Sequence, residues 1–256
     1  MTGAPVAVHS EQDGRVLRLV LARPKANIVD HAMLTALRDA LAEHREQTDL
    51  TAVLLCAEGP NFSFGASVEE HLPGQCEQML RLMDGAVMSL LEYPVPVLVA
   101  VRGYCLGGGL EVACGGNLIF AAPDAVFGQP EIQLAVFAPA GSCLLPELIG
   151  QARAEDLLFS GRNIKAEEAL RIGLVYRLDE DPEAAAREYI ENHLLPRSTF
   201  ALRQAVTAAR AGFVARMRER FALVETQYLG QLMAGQDAVE GLRAFIEKRP
   251  ARWNNR

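Results

Sequence analysis

The chain lacks the excess of basic residues that nucleic acid or an anionic membrane surface requires. Its 25 Lys and Arg stand against 32 Asp and Glu, for a net charge of −7, so those partners are not expected. Cysteine is sparse: Cys56, Cys76, Cys105, Cys114 and Cys143, an odd number with no C-x-x-C spacing. That excludes a paired disulfide framework and a cysteine zinc site, and it fits a reducing compartment. His9, His31, His44, His71 and His193 show no metal-ligand spacing, and His71 reads as a loop residue at the surface. No apolar run approaches the roughly 18 residues of a membrane span. The opening MTGAPVAVHSEQDG carries neither a basic nor an apolar targeting segment, so a cytoplasmic location is expected. The fingerprints G-x-G-x-x-G, the P-loop and G-x-S-x-G are all missing, which removes dinucleotide, nucleotide and serine-hydrolase readings.

Half of the 256 residues are hydrophobic, enough for a large core. In RVLRLVLA (15–22), Leu17, Leu19 and Leu21 alternate as in a strand. HAMLTALRDALAEH (31–44) spaces Met33, Leu34, Leu37 and Leu41 as in an amphipathic helix, with Asp30 as its N-cap. TAVLLCA (51–57) and PVPVLVAV (94–101) read as strands, residues 75–91 as a helix, and EGPNFSFGAS (58–67) as a loop. Strand and helix alternate through the first half, which predicts an α/β fold. From about residue 151 helical periods dominate: 151–160, 165–171, 182–194, 197–211, 213–234 and 236–247, with GLVYRL (173–178) the one strand among them.

The stretch VAVRGYCLGGGLEVA (99–113) joins a strand to a helix through Gly107, Gly108 and Gly109. The first N–H groups of a helix lack partners, and the helix dipole makes that end positive. Glycine there lets a ligand atom approach the backbone. The pattern fits an oxyanion site, and it equally fits close helix–strand packing through small residues. Glu111 lies in the first helical turn among apolar neighbours, where it is either a dipole partner or a functional carboxylate. Glu131, in FGQPEI, follows Glu111 by twenty residues and sits in an apolar stretch of its own. It is either a surface turn residue or the second member of an acid/base pair acting on water.

Taken together, VAVRGYCLGGGLEVA, FGQPEI, NFSFGAS (61–67), RPKAN (23–27) and FIEKRPARW (245–253) resemble the crotonase, or enoyl-CoA hydratase/isomerase, superfamily over essentially the whole chain. The resemblance implies a crotonase-like spiral of ββα turns over residues 1–195. It implies a helical C-terminal region, 196–256, for oligomerisation and cover of the active site. It further implies an acyl-CoA thioester substrate, no separate cofactor and no metal, and a homotrimer or hexamer. The amides of Ala66 and Gly108 would form the oxyanion hole around an enolate. Hydratases of the family keep both glutamates, so Glu131 would be the main acid/base and Glu111 the partner that orients the water. Lys25 would contact the CoA phosphates, with Arg23, Lys248 and Arg249 as weaker candidates. Phe64, Ser67, Val68, Leu72 and Phe137 would border the acyl group.

Narrower features point to one branch. Ser67 stands where the family commonly has aspartate, and VFAPAGSCLL (136–145) replaces its usual glycine-rich stretch. With PKANIVD, FGASVEEHLP and CLLPELIG, these resemble the dienoyl-CoA hydratases of aromatic degradation. That branch converts cyclohexa-1,5-diene-1-carbonyl-CoA to 6-hydroxycyclohex-1-ene-1-carbonyl-CoA. The alternatives are a general 2-enoyl-CoA hydratase or isomerase and, from another class, a non-catalytic CoA-binding or RNA-binding relative. The retained glutamates and the negative charge speak against the last.

Overall fold

The computed structural model describes residues 3–256. Its strands are β1 (Val6–Glu11), β2 (Val16–Leu21), β3 (Ala52–Ala57), β4 (Val97–Val101), β5 (Tyr104–Leu106), β6 (Leu118–Ala121), β7 (Val126–Gly128), β8 (Asn163–Lys165) and β9 (Arg177–Leu178). Between and after them lie helices α1 (His31–His44), α2 (Cys76–Leu91), α3 (Gly108–Cys114), α4 (Pro139–Ile149), α5 (Gln151–Ser160), α6 (Ala166–Arg171), α7 (Pro182–Tyr189), α8 (Thr199–Gln227) and α9 (Gln236–Ile246). Strands form a six-stranded sheet ordered β1-β2-β3-β4-β6-β9 and a three-stranded sheet ordered β5-β7-β8. The α/β class with a helical C-terminal region is as expected.

Alternation along β2 assigns its two faces. Leu17, Leu19 and Leu21 enter the core under α1 to α4. Val16 and Val20 join Leu54, Leu98 and Phe120 on the opposite face, covered by Ala185 and Ala186 of α7 and by Ile190. A strand buried on both faces has no polar side to display, which is why β3 and β4 read as continuous apolar runs. Asp30 caps α1, its carboxylate accepting from the Met33 amide at 2.9 Å.

Two expectations change. Residues 197–211 and 213–234 are not separate helices. Residues 199–227 form one 29-residue helix, and Gly212 lies within it without ending it, because α8 is held by packing on α2 and α4. GLVYRL (173–178) contributes only Arg177 and Leu178 to the sheet.

Arg210 ties α8 to the core. Its guanidinium donates to the carbonyls of Leu91, Gly115 and Gly116 at 3.5, 3.3 and 2.9 Å. These are the open C-terminal ends of α2 and α3, where positive charge is favoured. No helix among the described residues is long and apolar enough to cross a membrane.

Candidate functional site

The small sheet brings the two chemical stretches abreast. β5 and β7 pair in parallel with Leu106 opposite Gly128. The chain then turns at Gly107, whose amide donates to the Gly128 carbonyl at 2.9 Å. Gly107 has φ +49, a conformation that side chains resist. A Cβ there would also stand 2.7 Å from Oε1 of Glu131. Two requirements, backbone and space, therefore select glycine. Parallel pairing turns twenty residues of sequence separation into adjacency.

Gly108 opens α3 and faces the loop of Gly65 and Ala66: a Cβ on Gly108 would lie 3.1 Å from that of Ala66. The loop is held by Val29 N–H to Gly65 O at 3.0 Å and by Phe64 N–H to Ala26 O at 2.9 Å. Among the described residues, no protein acceptor takes the amide proton of Ala66 or of Gly108. Both residues, Gly108 as the first of α3, line the same cavity.

Both glutamates border the same cavity of about 670 Å³. Glu111 is 3% exposed, and its Oε1 accepts from the Gly141 amide of α4 at 2.7 Å. Burial pushes its carboxyl up to about 7, against the opposing pull of the Gly141 and Ala140 amides. Glu131 sits in the 3₁₀ turn Pro130–Leu134. Burial, and then the charge of Glu111, hold its carboxyl well above the ordinary range. Like charges so placed oppose double ionisation, and both carboxyls are held above the ordinary carboxylate range.

Gln129 is a support that the sequence reading did not single out. It is buried, and its amide, oriented by its hydrogen bonds, donates to Oε1 and Oε2 of Glu131 at 3.0 and 3.1 Å. A Cβ on Gly141 would come within 2.7 Å of the other end of that amide, its carbonyl oxygen in this orientation. Gly141 thus serves both carboxyls: its amide holds Glu111, and its bare Cα leaves room for the amide that holds Glu131. Only the side-chain types in FGQPEI and PAGS hinted at this.

The remaining candidates divide. Phe64, Ala66, Ser67 and Val68 line the cavity together with Ile28, Met83, Leu134 and Leu242. Phe64 also stacks on Tyr104 with ring centroids 5.0 Å apart. The Ser67 hydroxyl is engaged in its own turn, donating to Glu69 Oε2 at 3.1 Å. Phe137 does not border the cavity; it packs edge-to-face on Tyr228 at 5.0 Å. Leu72 packs in the same apolar cluster behind the wall. Lys25 is exposed, three residues before the cavity residue Ile28. Arg23 pairs with Asp30 at 2.5 Å, and Arg249 with Glu240 and Glu247.

His71 corrects the expectation of a surface histidine. It lies in the cavity wall, with Nδ1 2.7 Å from the Ser67 carbonyl. Burial holds its pKa below the ordinary value despite that hydrogen bond, so the ring is neutral at pH 7 and Nδ1 is the donor. Nothing local in SVEEHLP marks it; α9 packs over this turn from the other end of the chain.

The sequence profile of the enoyl-CoA hydratase/isomerase family matches residues 11–256. The chain is 61% identical over 253 residues to the cyclohexa-1,5-dienecarbonyl-CoA hydratase of Thauera aromatica, covering 99% of this chain and 98% of that one. It is 29% identical over 259 residues to a carnitinyl-CoA dehydratase of Salmonella paratyphi A, covering 98% and 99% of the two chains. The fold is also that of an enoyl-CoA hydratase from Mycobacterium avium subsp. paratuberculosis, with a TM-score of 0.85 at 22% identity over 98% of this chain and 99% of that one.

Proposed function

The chain belongs to the enoyl-CoA hydratase/isomerase family, and from that premise we propose that it hydrates cyclohexa-1,5-diene-1-carbonyl-CoA to 6-hydroxycyclohex-1-ene-1-carbonyl-CoA. At the coarser level it is a hydro-lyase that adds water to an unsaturated acyl-CoA thioester. The observation that carries the site reading is the pair of carboxyls, Glu111 buried and Glu131 half-buried, bordering one largely apolar cavity beside the unpaired amides of Ala66 and Gly108.

In this reading the amides of Ala66 and Gly108 hold the thioester oxygen. Water held by Glu111 gives that carboxylate a proton as its oxygen bonds to the β-carbon. The electron pair of the double bond moves onto the thioester oxygen as a dienolate, stabilised by the two amides and the α3 dipole. The dienolate extends through the second double bond, so its far end lies para to the attacked carbon. Glu131, entering the step protonated, protonates that end. One proton and one hydroxyl have been added, and one conjugated double bond remains. A proton must then pass from Glu111 to Glu131 to restore the resting pair.

Phe64, Ser67 and Val68 border the ring or the thioester arm, Phe137 acts from behind through Tyr228, and Lys25 meets the CoA phosphates outside the cavity. No separate cofactor is needed. The region from residue 196 closes the site, since Leu242 and Phe245 of α9 are in its wall. Phe159, Phe200 and Leu223, each more than 70% exposed, support assembly as a homotrimer or hexamer. A place in aromatic degradation in the cytoplasm completes the reading.

Turnover of the cyclic dienoyl-CoA against crotonyl-CoA tests the substrate: equal or faster turnover of crotonyl-CoA overturns it. The variant Glu131→Gln tests the site. It is expected to bind acyl-CoA with unchanged affinity and to lose at least about 100-fold in kcat, the scale of general acid–base catalysis. A loss below about threefold would remove Glu131 from the mechanism.

A further inference from the structure

His71 puts a free nitrogen into a wall that is otherwise largely apolar. The residue is half-buried and borders the cavity, on the turn Glu69–His71 that packs against α9. Its flanking residues, Val68 and Leu72, pack into the apolar cluster of Leu242. A leucine or methionine would complete such a wall, so the imidazole calls for an explanation. The Ser67 carbonyl accounts for one nitrogen only. That oxygen can only accept, so Nδ1, 2.7 Å away, carries the proton. In the neutral ring Nε2 is then a bare acceptor. Among the described residues no protein group donates to it, and it is not sealed in but keeps accessible surface.

The hydration step lacks one acceptor. The attacking water has two hydrogens, and one passes to Glu111. The other stays on the oxygen and becomes the hydroxyl hydrogen of the product. Glu131 enters the step protonated and serves the far carbon, so it is not the partner of that hydrogen. An O–H left unpaired in a largely apolar cavity is costly. Of the other polar side chains in the wall, Ser67 and Glu69 bond to each other at 3.1 Å. The exposed Gln133 donates to the Gly161 carbonyl at 2.8 Å. Nε2 of His71 is left free for the task.

We propose that His71 is a catalytic residue whose Nε2 accepts a hydrogen bond from the O–H of the attacking water that stays whole. No proton moves along this bond. The other O–H breaks toward Glu111 as the oxygen bonds to the β-carbon. His71 aims the oxygen during that step and keeps the same bond to the product hydroxyl. The two ring nitrogens thus have separate tasks: Nδ1 fixes the turn that follows Ala66, and Nε2 holds the reacting oxygen. The proposal rests on the two-glutamate hydration reading above.

Two substitutions separate the nitrogens. His71→Asn offers an amide N–H near the place of Nδ1 and leaves nothing at Nε2. His71→Gln offers an acceptor oxygen near Nε2 and gives up the bond to Ser67. Both are made in the full-length enzyme and assayed in hydration of the cyclic dienoyl-CoA and in dehydration of the hydroxy product, beside wild type and Glu131→Gln. His71→Asn is expected to lose about 5- to 150-fold in kcat of hydration, the cost of one unpaired donor. Its KM for the dienoyl-CoA, which carries no hydroxyl, should stay within about twofold of wild type, while its KM for the hydroxy product rises about fivefold or more. His71→Gln should run at least about fivefold faster than His71→Asn, although its melting temperature is lower. A wild-type kcat in His71→Asn overturns the proposal. So does a glutamine variant no faster than the asparagine one, the pattern of a residue that only holds the turn. Equal rises in the two KM values also overturn it, since they give Nε2 to the CoA arm. Each of these outcomes leaves the hydration reading intact. Full activity in Glu131→Gln overturns that reading itself, whatever the His71 variants do.

Discussion

Replacing Gly141 with alanine would insert one methyl group between the supports of both glutamates. The new Cβ would stand 2.7 Å from the carbonyl oxygen of the Gln129 amide so oriented, 3.0 Å from Ala138 Cβ and 3.1 Å from Gln129 Cδ. Two stability terms oppose one another. Alanine within a helix gains about 0.5–1 kcal/mol over glycine. Overpacking costs about 1–3 kcal/mol, toward the lower end here because a flexible amide can swing away. The net loss is therefore small, about 0–2 kcal/mol, a few degrees of melting temperature at most on the usual scaling. Activity should suffer more. As Gln129 swings, Glu131 loses donors that favour its ionised form, and a hydrogen bond to a charged group is worth about 1.5–3 kcal/mol. At 1.36 kcal/mol per tenfold, kcat should fall about 10- to 150-fold. The alkaline limb of the pH–rate profile should move up, because the Glu131 carboxyl then holds its proton more tightly. The Gly141 amide remains in place, so the limb governed by Glu111 should stay nearly fixed.

Loss of dienoyl-CoA absorbance measures the rate, and thermal melts measure the fold. Gln129→Ala and the double variant complete a cycle. If the methyl acts only through Gln129, the double variant is no worse than Gln129→Ala alone. Wild-type turnover in Gly141→Ala, or losses that simply multiply in the double variant, would refute the linkage.

Glu111→Gln should change the pH dependence of stability. Burial raises the Glu111 carboxyl to about 7 from an ordinary 4.5. The folded state therefore binds more protons than the unfolded one, and stability present below about pH 4.5 is lost as pH rises through about 7. The upper bound is about 3 kcal/mol at 1.36 kcal/mol per unit. Urea melts should find the glutamine variant more stable than wild type at pH 8 and equal to it near pH 4; a less stable variant at pH 8 would refute the assignment. Arg210→Met should cost about 2–4 kcal/mol by stranding the carbonyls of Leu91, Gly115 and Gly116. A thermal melt within one degree of wild type would show that water replaces those bonds.

Local pattern determined a good deal. Alternation in residues 15–22 predicted the shared face of Leu17, Leu19 and Leu21 in β2, and Asp30 before an apolar helical period predicted the α1 cap. The glycine run followed by Glu111 marked a helix N-terminus with a carboxylate in its first turn. The role of that carboxylate stayed open on spacing alone, and the resemblance of several stretches to one family supplied the pairing with Glu131. Only tertiary structure decided the rest. The β5–β7 register sets Glu131 against Gly107. Gly141 reaches Glu111 from α4, and Gln129 turns back on Glu131 in the space that Gly141 leaves. His71 is partly covered by a helix more than 160 residues away, and α8 runs through Gly212 because of what it packs on. The physical reason is the same in each case. Periodicity and capping are interactions within a few residues and leave a local imprint, whereas the burial of a polar group and its partner depend on which distant elements close over it.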